Sequence, residues 1–121
     1  MRNYKELKVW EKAHSVTLDV YHLTSKFPKQ EQFGLTSQMR RAAVSVASNI
    51  VEGSARKTDK EFIQFLYIAL GSANELDYQL FLAKDLTFIT EEIYLDADKN
   101  INEVKRMLNS FISHLSNAKN N

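Results

Sequence analysis

Residues 35–54 read LTSQMRRAAVSVASNIVEGS. Within them Leu35, Met39, Ala42, Val46, Asn49 and Gly53 follow one another at steps of 4, 3, 4, 3 and 4. Such steps keep side chains on one face of a helix with about 3.6 residues per turn. The stretch has no proline, and its one glycine stands near the end. It reads as an amphipathic helix with a narrow seam of apolar and small residues.

The same arithmetic works outward. Downstream, Phe62, Leu66, Ala69, Ala73, Leu76, Leu80 and Ala83 repeat the pattern, and Tyr94, Ala97, Ile101, Val104, Leu108, Phe111 and Leu115 repeat it again. Upstream the pattern is broader: Leu7, Trp10, His14, Thr17, Tyr21 and Thr24 share one line, with Val20 and Leu23 beside it. Three breaks separate these segments: Lys26-Phe27-Pro28 through Gly34, Gly53 through Lys57, and Leu86 to Thr90. Proline removes a backbone donor and disfavours helix at the preceding residue, and glycine tolerates turn geometry. No break contains an alternating, strand-like run. Thr58 with Glu61 forms a capping-box pattern, and Thr90 with Glu91 and Glu92 puts a cap and two acids at a helix start. The spacing predicts helices near 5–26, 35–54, 59–86 and 91–117. Short connections between them imply an all-α, antiparallel up-down-up-down four-helix bundle, a single domain over residues 1–121.

Composition agrees. The chain has 121 residues, no cysteine, one proline and three glycines, with 44% apolar and 26% charged residues. It is neither disordered nor disulfide-stapled. The densest apolar run, Phe62 to Leu70, is broken by Gln64 and is far shorter than the roughly 20 residues of a membrane span. The N-terminal residues carry charge rather than an apolar core, so a soluble cytoplasmic protein is expected. Phe62, Ile63, Phe65, Leu66, Tyr67, Ile68, Ala69 and Leu70 cover nearly every direction of helix three. A helix apolar all round is buried on all sides, so an interface with a second copy of the chain is expected.

Catalytic chemistry finds little support. A di-metal bundle needs carboxylates from two helices and Glu-x-x-His pairs from the other two. Glu11 with His14, and Asp19 with His22, both lie on helix one, and His114 stands alone. No metal and no cofactor is expected, and His14 is expected as a half-buried seam residue. There is no nucleophile elbow and no P-loop, so no enzymatic activity is expected.

Two polar features stand out. On helix two, Gln38, Arg41, Ser45, Asn49, Glu52 and Arg56 form a stripe beside the seam, and helix three carries Ser72, Glu75 and Gln79. Arg41 or Arg56 could pair with Glu52 or Glu75. Gln38, Arg41, Asn49, Glu52 and Glu75 are expected to form a structural polar network, between helices or between subunits, that fixes register. The second feature is charge. The chain's net charge is +1, yet residues 1–60 hold 11 Lys/Arg against 6 Asp/Glu, and residues 61–121 hold 5 against 9. Arg40, Arg41, Arg56, Lys57 and Lys60 are the candidate nucleic-acid contacts. The last three cluster at a helix start, where backbone N–H groups add anion affinity. One subunit carries few charges, and a ring of copies would multiply them.

The run Phe27-Pro28, Gly34-Leu35, Gln38, Arg40-Arg41-Ala42, Ser45, Asn49-Ile50, Glu52-Gly53 and Arg56 resembles the four-helix bundle proteins encoded in 23S ribosomal RNA intervening sequences, often labelled S23 ribosomal proteins. Leu7, Trp10, Phe62, Phe65-Leu66, Ala69, Gly71-Ser72 and Glu75-Leu76 fit as well. That family is similar to the accessory variability proteins of diversity-generating retroelements. The resemblance implies a helical bundle, a homopentamer, an RNA or DNA partner, and a reverse transcriptase as a further partner. It implies no catalytic residues. Where the family commonly has Ile-Pro-Ala, this chain has Val46-Ala47-Ser48, which takes a proline out of helix two. Against the nucleic-acid reading stands a second one, a protein-interaction scaffold.

Overall fold

The structure is a computed structural model and describes residues 2–118. Met1 and residues 119–121 of the expected domain lie outside the described residues. Four α-helices run in order: α1 Lys8–Thr24, α2 Leu35–Ser54, α3 Asp59–Asp85 and α4 Glu91–Ala118. Each packs on the next, and α1 also meets α4, as an antiparallel four-helix bundle requires. No described helix is long and apolar enough to cross a membrane.

The helix starts show why the chain breaks where it does. Thr58 is extended, and its hydroxyl accepts the Glu61 N–H at 3.1 Å. The Glu61 carboxylate accepts from the Thr58 hydroxyl at 3.1 Å rather than from a backbone amide, so the capping box is only half built. Thr90 caps α4 by accepting from the Ile93 N–H at 3.1 Å. At α2 the cap residue is Gly34, and Glu31 Oε1 reaches forward to accept the Leu35 N–H at 3.2 Å. Helix α3 ends with Thr87 at φ 64°, where the Phe88 N–H donates to the Ala83 carbonyl at 2.9 Å. That is a left-handed stop with a β-branched residue where glycine is usual.

Helix one departs from expectation. Tyr4–Glu6 form a short 3₁₀ turn, Leu7 is extended at φ −83°, ψ 120°, and the α-helix begins only at Lys8. Its buried line is Val9, Ala13, Val16, Val20 and Thr24. The expected line Leu7-Trp10-His14-Thr17-Tyr21 is rotated toward solvent, except that Thr24 stays buried. His14 is exposed, not half-buried, and stacks on Trp10 with ring centroids 5.0 Å apart. The expected line borders the buried one: Leu7 and Trp10 are half-buried against the core, Thr17 donates to the Ala43 carbonyl of α2 at 3.2 Å, and Tyr21 lies under Arg40. The other three seams hold in the main: Leu35, Met39, Ala42, Val46 and Gly53, the whole α3 line, and Ile101, Val104, Leu108 and Leu115 are buried, while Asn49, Tyr94, Ala97 and Phe111 are half-buried. Helix α2 runs unbroken through Val46-Ala47-Ser48.

Register between α2 and α3 is set by small groups. A Cβ added at Gly53 would lie 2.7 Å from both Phe62 Cδ1 and Phe65 Cβ. Ser45 and Ser72 hydroxyls share a hydrogen bond at 2.8 Å eight residues back along α2. Helix α4 is tied to α3 by Lys105 Nζ, which donates to Asp77 Oδ2 at 2.7 Å. Beside that pair burial raises the Asp98 pKa above the ordinary carboxylate value, and the facing Asp77 carboxylate raises it further. Burial, with Asp98, Asp77 and Glu91 around it, also raises the Tyr94 phenol.

Two stability predictions result. Gly53→Ala forces the rings of Phe62 and Phe65 apart and lowers stability by about 1–3 kcal/mol, read by urea melts, whereas Gly71→Ala, whose added Cβ meets nothing within 4 Å inside the chain, leaves the stability of the single bundle unchanged or raises it. Asp98 binds its proton more tightly folded than unfolded, so its contribution to stability falls as pH rises through the usual carboxylate range. Asp98→Asn should therefore stabilise the bundle at pH 7 by some tenths of a kcal/mol, with the gain vanishing near pH 3, where the wild-type group is protonated in both states.

Candidate nucleic-acid interface

The five candidate cations do not form one patch. Arg56, Lys57 and Lys60 sit together where α2 ends and α3 begins. Lys57 and Lys60 are exposed and make no ion pair among the described residues. Arg56 is partly committed: it pairs with Glu52 Oε1 at 3.3 Å and lies over the Phe65 ring at 4.6 Å. Arg2 joins this end, pairing with the Asp59 carboxylate and covering the Phe62 ring at 4.8 Å. Arg40 stands sixteen residues earlier on α2, roughly 24 Å away at 1.5 Å per residue. It is a structural clamp rather than a free cation. Its Nε donates to Thr24 Oγ1 at 2.9 Å, one terminal nitrogen donates to the Tyr21 carbonyl at 3.3 Å, and its guanidinium lies 4.7 Å over the Tyr21 ring. Arg41 is exposed beside it with no ion pair among the described residues.

The polar stripe is likewise not a closed network within one chain. Asn49 Nδ2 donates to the Ser45 carbonyl at 2.8 Å and to its hydroxyl at 3.1 Å, so it serves its own helix. Glu52 is exposed and pairs only with Arg56, one turn on. Such an exposed i, i+4 pair contributes a few tenths of a kcal/mol. Gln38, Arg41 and Glu75 are exposed with no side-chain hydrogen bond among the described residues. Of the stripe residues described, Ser45 alone makes a hydrogen bond from α2 to α3, through Ser72. The antiparallel register carries Arg41 to the level of Leu76 and Gln38 to the level of Gln79. Gln79 is only 5% exposed, and its Oε1 has no hydrogen-bond donor among the described residues.

Around that stripe the outer face of α3 mixes the exposed Gln64, Asn74 and Glu75 with large apolar side chains. Tyr67 is 57% exposed, Ile68 53% and Tyr78 62%, and between them Gly71 opens on empty space. On α2, Val44 is also exposed. The sequence signalled the excess apolar surface of α3 but not the large aromatic Phe33, which stands 91% exposed in the loop before α2. Only three-dimensional placement distinguishes it from Phe27, which is buried against Phe88 at 5.3 Å. Among the described residues no group of three or more His, Cys, Asp or Glu side chains is arranged to hold a metal ion.

Comparison with known proteins gives these observations a setting. No curated protein matches the chain. A crystal structure of a protein of unknown function from the S23 ribosomal protein family of Bacteroides thetaiotaomicron VPI-5482 superposes with a TM-score of 0.80 at 30% sequence identity, over 86% of this chain and 97% of that one. The family model of the 23S rRNA-intervening sequence proteins matches residues 5–110. With the bundle, the motifs of α2 and α3 and this match in agreement, the chain belongs to the 23S rRNA-intervening sequence protein family.

Proposed function

We propose that the protein is a non-enzymatic helical bundle that assembles with copies of itself through the outer face of α2 and α3 and contacts RNA or DNA through its basic end. The observation that carries this reading is the α3 face, where Tyr67, Ile68 and Tyr78 flank the open Gly71. Exposed apolar residues of this size, grouped on one helix, are typical of a subunit interface. A glycine with free space above it lets another backbone come close. The unpaired Arg41 and Glu75 would find partners there.

Assembly also addresses the charge problem. A single chain offers Lys57, Lys60 and the partly paired Arg56 at one end, too little for tight phosphate binding. A closed ring would repeat that end around one rim and bind by multivalency. The pentamer, the kinship with retroelement accessory proteins and a reverse-transcriptase partner are parts of this proposal that rest on the family resemblance. A second reading is supported by the separation of Arg40 from Arg56: with its cations split between two ends, the bundle suits a protein-binding scaffold with no nucleic acid.

Light scattering tests the assembly. The wild-type chain of 14.0 kDa should give a defined oligomer, roughly 70 kDa for a pentamer, and Ile68→Glu should shift it toward monomer without loss of helicity. A wild-type monomer at tens of micromolar would refute it. For nucleic acid, the Arg56→Ala, Lys57→Ala, Lys60→Ala triple variant should weaken binding to unrelated sequences alike. The slope of log K against log salt should flatten by about 0.7–0.9 for each phosphate that the variant no longer neutralises. No electrophoretic shift of RNA or DNA by the wild-type protein at modest salt selects the scaffold instead.

A further inference from the structure

Helix α1 begins late, at Lys8, and beside its start α4 is left partly uncovered. An open cleft of about 570 Å³ lies there. Its floor is apolar: Val9 is buried, and Leu7, Met107 and Phe111 are half-buried. Its rim carries Lys8 from α1 and Arg106, Ser110 and His114 from α4. The last three follow at steps of four, so they stand on one line of the helix, about one turn apart. Among the described residues no carboxylate lines the cleft. Two acids stand at its end toward Lys12: Glu103, which pairs with Arg106 at 3.4 Å, and Glu11, one turn along α1 from Lys8. The Arg106 side chain is 73% exposed, so that pair is weak, and it occupies one nitrogen of a guanidinium with five donors. At the other end the sequence holds no Asp or Glu after Glu103, down to residue 121.

We propose that this cleft binds an amphipathic organic anion: a carboxylate whose apolar body lies on Leu7, Met107 and Phe111 and whose charged head lies at the rim. The rim selects the anion. Every titratable side chain that lines the cleft is basic, and Ser110 adds a hydroxyl donor. The head group needs contact with only one of the cations, and the others add longer-range attraction. An ammonium head finds no carboxylate on the lining. The floor selects the body. Covering Leu7, Met107 and Phe111 takes apolar surface out of water, and the flexible Met107 adapts to a ring. A small anion without an apolar body gains nothing from that floor. The volume suits a body of two rings, because a cavity of about 150 Å³ already accepts benzene. The cleft is on the α1/α4 side and none of Arg56, Lys57 and Lys60 lines it, so the site depends neither on assembly through α2 and α3 nor on nucleic-acid binding.

Three probes with one naphthyl body test this: 1-naphthylacetate, 2-(1-naphthyl)ethanol and 2-(1-naphthyl)ethylamine, titrated into the full-length protein at neutral pH and low salt and followed by amide NMR shifts. The carboxylate should bind with shifts centred on residues 7–9 and 106–114, about 3–10-fold more tightly than the alcohol, and the amine should bind more weakly than either. Acetate, which has the head group without the body, should not perturb the same residues at concentrations where naphthylacetate saturates them. The Lys8→Gln, Arg106→Gln, His114→Gln triple variant, altered only at exposed positions, should bring carboxylate and alcohol to equal affinity. Ser110→Phe, which sets a ring over the floor from an exposed position, should weaken binding of both while the rest of the spectrum stays native. An amine that binds as well as the carboxylate overturns the proposal. So does a carboxylate preference that survives the triple variant, acetate that binds as tightly as naphthylacetate, binding that Ser110→Phe leaves unchanged, or a wild-type spectrum that no probe perturbs.

Discussion

Helices α2 and α3 lie as close as they do because residue 53 has no side chain. The rings of Phe62 and Phe65 crowd the space where a Cβ would stand, with atoms of both residues at 2.7 Å. That approach, with the Ser45–Ser72 hydrogen bond at 2.8 Å, fixes how far one helix slides along the other. Everything displayed on the α2/α3 face inherits its place from this register. Phe62 then reaches the middle of the bundle, where it meets Phe111 of α4 edge-on at 5.3 Å. The contact at Gly53 is thus also the floor on which α4 rests. A close-packed interior transmits such a constraint because it has no slack to absorb it.

Three of the four helices are legible in the sequence for one reason. Their buried lines recur at steps of 3 and 4 with no charged residue on them, so the buried side of each can be read from spacing, even on α3, which carries further apolar residues on its outer side. Helix α1 offers two competing lines. The line through Trp10 and Tyr21 has the larger side chains, and the line through Val9, Ala13, Val16 and Val20 has the smaller ones. Side-chain size favours the first, but the first carries His14 and Thr17, whereas the second is apolar throughout. The second is the one buried, and the first runs along its border, where Thr17 donates to the Ala43 carbonyl of α2 at 3.2 Å. The late start of α1 escapes the pattern as well: Leu7 turns extended, and the preceding 3₁₀ turn brings Arg2 to Asp59 and Phe62.

The candidate cations show the same limit. Arg40 and Arg41 are adjacent in the chain but do different work. Arg40 is drawn onto Tyr21 and Thr24 and ties α2 to the end of α1, a use that consumes its donors. Arg41, rotated about 100° around the helix, is left in solvent. Sequence proximity therefore overstates the basic surface. The cluster at Arg56, Lys57 and Lys60 is readable because a helix end and a helix start bring neighbours in sequence together in space.

Helix lengths explain the remaining open side. Helix α1 has 17 residues and α4 has 28, so α1 spans roughly 25 Å and α4 roughly 42 Å. Neighbouring helices α2 and α3 are joined by a short turn that holds their ends level, whereas α1 and α4 are joined only through the rest of the bundle. A short helix against a long one leaves part of the longer surface uncovered. Clefts therefore flank the Lys12–Asn100 hydrogen bond, one beside Met107 and Phe111 and one beside Leu80 and Ala97. The first opens at the end of the bundle near Leu7, where α1 begins late; the second lies over the better-packed floor made by α3. The closed α2/α3 side is set by a glycine, and the open α1/α4 side by the shortness of α1.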